Sequence, residues 1–121
     1  MNPLQQIKNA RERRKINRIA FSALEGVDLS NQGFEDCNEL RRLLTKDLND
    51  AGFETTTVRV TSSPSNLYLG HTVRPNQSEH EIVGVRLGVI DPLYPKVMPQ
   101  DRYLKRVYQP ENGVELIIQH A

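Results

Sequence analysis

The stretch HEIVGVRLGVIDP, residues 80 to 92, constrains the fold of this chain more than any other. Two apolar arms rich in Val and Ile flank Arg86-Leu87-Gly88, and a glycine-bearing turn between β-branched runs is the signature of a hairpin. The second arm stops at Asp91-Pro92, because proline cannot donate to a sheet ladder. Three other segments read as strands: the Thr- and Val-rich FETTTVRV, the short LYLGHTV and the late VELIIQ.

Helices are expected on the amino-terminal side. Ile7, Ile16, Ile19, Ala20, Ala23 and Leu24 recur at helical spacing over residues 3–25, as one helix or two, with Gly26 as a stop. A second helix is punctuated by Asp36 as a cap, with Glu39 three residues on completing a capping-box pattern. Leu40, Leu43, Leu44, Leu48 and Ala51 form its apolar stripe, and Gly52 ends it. The proline-bearing segment KVMPQDRYLKRVYQPENG reads as loop with one helical turn. Helix, helix, strand, hairpin and strand in that order predict an α+β domain, an antiparallel sheet packed on helices. With 121 residues the chain fits a single domain, 1–121, divided into a helical amino-terminal segment, 1–29, and a core, 30–121.

Composition narrows the function classes. A formal charge of +1 gives no whole-chain field toward nucleic acid or acidic lipid. The first 18 residues differ, with Lys8, Arg11, Arg13, Arg14, Lys15 and Arg18 against Glu12, a pattern that fits a solvated helical face before an RNA or membrane surface. The lone cysteine forbids an internal disulfide and suits a reducing compartment. With no apolar signal core and no run of about 20 apolar residues, a cytoplasmic protein is expected, or one delivered by a route that reads no such signal. No membrane span, metal site or cofactor loop is expected. Three scattered histidines and one cysteine lack zinc-site spacing, and no glycine pattern cradles phosphate. Nucleic acid is not an expected partner, because the aromatic platforms are few.

The chemistry centres on Cys37. At the start of the second helix a thiol meets unpaired N–H groups and the positive end of the dipole, which favour the thiolate. A thiol nucleophile also needs a base and a group to orient it. His80 opens the first hairpin arm and Asp91 closes the second, so antiparallel pairing makes them neighbours. His71 is a rival base, but Asp91 is better placed for His80; His120 sits one residue from the end, where a chain frays.

This ordered pattern of DCNELRRLL, GFETTTVRV, HEIVGV and GVIDP resembles the papain-like and transglutaminase-like cysteine hydrolase superfamily. In length and ending it looks most like the small papain-fold toxin domains of bacterial polymorphic toxins and related glutamine-deamidating effectors. The resemblance implies a minimal papain-like core, with Cys37 as nucleophile, His80 as base and Asp91 as orienter. It also implies that Gln32, in the segment NQGFEDC, supplies an oxyanion hole together with the N–H of Cys37. The expected reaction is acyl transfer from a protein carboxamide or peptide bond, without a cofactor, as a deamidase or protease. A protein substrate and a neutralising immunity protein are the expected partners. The alternative is a non-enzymatic interaction protein, of immunity or adaptor type, in which Cys37 is a buried filler.

Overall fold

The computed structural model describes residues 2–26, 34–61, 67–69, 72–74, 79–107 and 115–119, with side chains over 2–26, 38–60 and 80–105. Asn2 starts the first helix by accepting the Gln5 N–H on its side chain at 2.8 Å, and Pro3 follows where a missing N–H costs nothing. One uninterrupted helix results, α1 (Pro3–Ala23), which ends in a turn where Gly26 takes a φ of 83°. The second helix, α2 (Phe34–Asp50), ends before Gly52 at φ 93°.

Five antiparallel strands follow in one sheet: β1 (Thr56–Thr61), β4 (Glu79–Val85), β5 (Gly88–Asp91), β6 (Tyr94–Met98) and β7 (Glu115–Gln119), in the order β6-β5-β4-β1-β7. The strands β2 (Leu67–Leu69) and β3 (Thr72–Arg74) pair separately as a two-stranded ribbon. A third helix, α3 (Gln100–Val107), lies between β6 and β7 in sequence. The domain is thus α+β, as the order of segments predicts.

The expected hairpin is present. Val83 pairs with Ile90, Gly84 with Val89 and Val85 with Gly88. Two glycines make its geometry possible. A Cβ at Gly84 would strike the Thr56 hydroxyl and the Val58 side chain, and one at Gly88 would strike the Met98 carbonyl.

Both faces of the sheet are covered, because consecutive β4 residues Ile82 and Val83 are each 0% exposed while pointing to opposite sides. One buried cluster gathers Val58, Val60, Ile82 and Val89 with Leu24, Leu40, Leu93 and Tyr103. The other gathers Val83, Ile90 and Val97 with Ile16 and Ala20 of α1 and Leu44 and Leu48 of α2. The stripe of α2 is therefore split: Leu40 serves the first cluster, and the next two turns serve the second. Polar links fix α1 in place. Asn17 accepts the Val97 N–H of edge strand β6 at 2.8 Å, and Arg86 in the β4–β5 turn reaches Asn9 at 2.7 Å and Glu12 at 3.2 Å.

Three expectations are corrected. The segment KVMPQDRYLKRVYQPENG, read as loop with one helical turn, holds the end of β6 and the eight-residue α3; Pro95 is accommodated in β6 because that strand is an edge. The helix expected to start after an Asp36 cap starts at Phe34, so Asp36 is its third residue and Cys37 its fourth. LYLGHTV, read as one short strand, supplies the paired strands β2 and β3.

Candidate active site

The hairpin register builds the site. Continuing the Val83–Ile90 pairing by one residue sets Asp91 beside Ile82, on the face of the sheet that also carries His80. His80 stands opposite Val60 of β1 and is 2% exposed; Asp91 is 1% exposed. Their side chains meet, His80 Nε2 lying 3.0 Å from Asp91 Oδ2.

Asp91 is held from three directions. Its Oδ1 accepts the Leu93 N–H at 2.9 Å, a short loop that the following proline favours. Its Oδ2 accepts from His80 and also from the Tyr103 hydroxyl, at 2.5 Å. Burial by itself pushes the Asp91 carboxyl up, but the charge of His80 and the hydrogen bonds from His80, Tyr103 and the Leu93 amide outweigh it. The result is a carboxyl held below its ordinary 3.8.

An ionised carboxylate is acceptor-only, so the proton of this contact resides on His80 Nε2. In the neutral imidazole the lone pair then belongs to Nδ1, which is itself buried. The Asp91 contact thus orients the imidazole of His80 within the sheet.

Cys37 lies in the first turn of α2, three residues before Leu40. Leu40 shares its buried cluster with Val60 and Ile82, the residues that surround His80 in the sheet. In a helix that begins at Phe34 the unpaired N–H groups within it are those of its first three residues, Phe34, Glu35 and Asp36. The N–H at position 37 is the first that a regular i→i−4 bond can engage, which leaves positions 34 to 36 as the better anion donors.

The side chain of Cys37, together with Gln32, His71 and His120, lies outside the described residues. Tyr103 is the site residue that sequence reasoning missed. Its signal was the spacing of Tyr103, Leu104 and Val107 among charged neighbours, which suits one face of a short helix.

Among the described residues, no group of three or more His, Cys, Asp or Glu is placed to hold a metal ion, and no helix is long and apolar enough to cross a membrane. A cleft of about 450 Å³ opens near Phe53, Thr56 and Gly84 and has neither His80 nor Asp91 in its lining. No family model, curated protein or solved structure matches the chain.

Proposed function

We propose that this chain is a cysteine-dependent acyl-transfer enzyme of papain-like type, acting on a protein carboxamide or peptide bond through Cys37, His80 and Asp91. The observation that carries the proposal is the buried 3.0 Å contact between His80 Nε2 and an Asp91 fixed by Leu93 and Tyr103. Such a pair holds one imidazole tautomer, as a base serving a nucleophile requires.

The chemistry runs in two halves. Nδ1 of His80 takes the Cys37 thiol proton, and the thiolate adds to the carbonyl carbon. The leaving nitrogen departs with the proton returned by His80, as ammonia from a carboxamide or as an amine from a peptide, and a thioester remains. Water then gives a proton to His80, attacks the thioester and releases the acid and the thiol. Backbone N–H groups at the start of α2 suit the oxyanion, with Gln32 as a side-chain donor. An effector or toxin role, with a protein target and a neutralising immunity partner, follows from the resemblance of the sequence pattern.

The test is intact-mass and peptide mapping of candidate proteins after exposure to the chain. A gain of about 1 Da at a glutamine identifies deamidation and chain scission identifies a protease. Cys37→Ala is expected to abolish either outcome with the fold retained, and His80→Ala to raise the pH at which iodoacetamide labels Cys37. Half-maximal labelling near pH 8.5 in both wild type and His80→Ala would count against the proposal.

One observation favours a second reading. The side chains of His80 and Asp91 are both 0% exposed, and the same carboxylate also anchors Tyr103. A buried network of this kind can serve only to lock α3 to the hairpin, in an interaction protein whose cysteine is structural. Full biological effect in Cys37→Ala would select this reading.

A further inference from the structure

We propose that the outward face of α1 is a docking surface for anionic phospholipid bilayers. The proposal stands apart from the thiol chemistry and rests on a different part of the molecule.

At 100° per residue, Lys8, Arg11, Arg14, Lys15 and Arg18 fall within an arc of about 120° on the helix. All five are exposed, and none is in an ion pair among the described residues. The single acidic residue of α1, Glu12, lies outside this arc and is taken by Arg86. Since the whole chain carries a formal charge of only +1, the positive field is concentrated on this face and offset elsewhere.

The apolar residues choose between polyanions. Leu4 is 70% exposed, Ile7 49% and Phe21 68%, and these three share the outward side with the basic cluster. The opposite side of the helix is already spent: Ile16 and Ala20 are fully buried in the second core cluster, and Asn17 is bonded to β6. The exposed leucine, isoleucine and phenylalanine are therefore not a surplus of the core stripe. Leu4 and Phe21 stand about 25 Å apart along the axis, one at each end of the basic run. A nucleic acid would answer the charges but give Leu4 and Ile7 no favourable partner, and the face holds a single aromatic for stacking. A bilayer surface answers both. Arg and Lys reach lipid phosphates with their stems lying along the interface, while apolar ends dip to the acyl boundary. The helix lies flat on the protein, held by α2 and β6, so the face is presented parallel to a membrane plane.

The experiment is co-sedimentation of the full chain with vesicles of phosphatidylcholine, with and without about one-third phosphatidylserine. Binding is expected to the anionic vesicles only, and to fall with added salt. Each charge removed is expected to weaken it about fivefold, so Arg11→Gln/Arg14→Gln/Arg18→Gln loses about a hundredfold. Phe21→Ser is expected to lose about tenfold. All four positions are exposed, and unchanged circular dichroism will show that the variants fold. Absence of binding to anionic vesicles overturns the proposal. So does binding that ignores Phe21→Ser and is matched by an oligonucleotide at equal phosphate concentration, because the face would then be a general polyanion contact.

Discussion

Asp91 illustrates how one side chain can serve the fold and a site together. Its carboxylate satisfies a backbone amide, an imidazole and a phenol while buried, so each partner gives up an ordered bond if it is lost. Because its pKa is lowered on folding, its stabilising contribution is complete above the ordinary 3.8 and disappears as pH falls through the lower folded value. The stability gap between wild type and Asp91→Asn in urea titrations should accordingly be flat from about pH 5 upward and close below it. Tyr103→Phe removes a donor from the same charged oxygen and should cost about 1.5–3 kcal/mol in the same titrations. The pairing of His80 with Asp91 was legible in the sequence, because a short turn between two apolar arms leaves little freedom of register. Tyr103 was not, since its partner is set by how α3 crosses the end of β5, and no local pattern encodes that crossing.

Among the elements, the start of α2 shows why helix boundaries resist reading. Acidic residues favour both the cap position and the first turn, one through hydrogen bonding and the other through the dipole. Glu35 and Asp36 suit either role, and Phe34 as first residue decides for the dipole. In the same way the prolines of KVMPQDRYLKRVYQPENG marked it as loop, although Pro99 falls between β6 and α3 and leaves both elements intact. The β4–β5 hairpin was the most legible element, and its turn is the most exacting. Gly88 combines a φ of 148° with a Met98 carbonyl in the space a methyl would need. Gly88→Ala should therefore destabilise the protein by about 2–4 kcal/mol, read as a lower thermal midpoint.

At the scale of the whole molecule, α1 acts as a brace across an otherwise open sheet edge. Asn17 consumes a β6 amide that would otherwise template another strand. Asn17→Ala should cost about 1–3 kcal/mol and raise the tendency to self-associate, measurable as a concentration-dependent increase in size by light scattering. Asn17→Asp keeps the acceptor and should recover most of the loss. That α+β layering was readable from the order of segments, whereas the division of α2 between two clusters was not, because the twist of the sheet decides which turn of a helix meets which face.

The brace also has a place in time. Asn17 and Val97 are 80 positions apart, and Asn9 and Arg86 are 77. Because α1 precedes the strands it braces, it can be seated only after β4, β5 and β6 have been synthesised. Contacts this distant slow folding, since loop closure must precede any reward from them. Until then the core stripe of α1, Ile16 and Ala20 included, has no sheet to pack against and stays open to other partners.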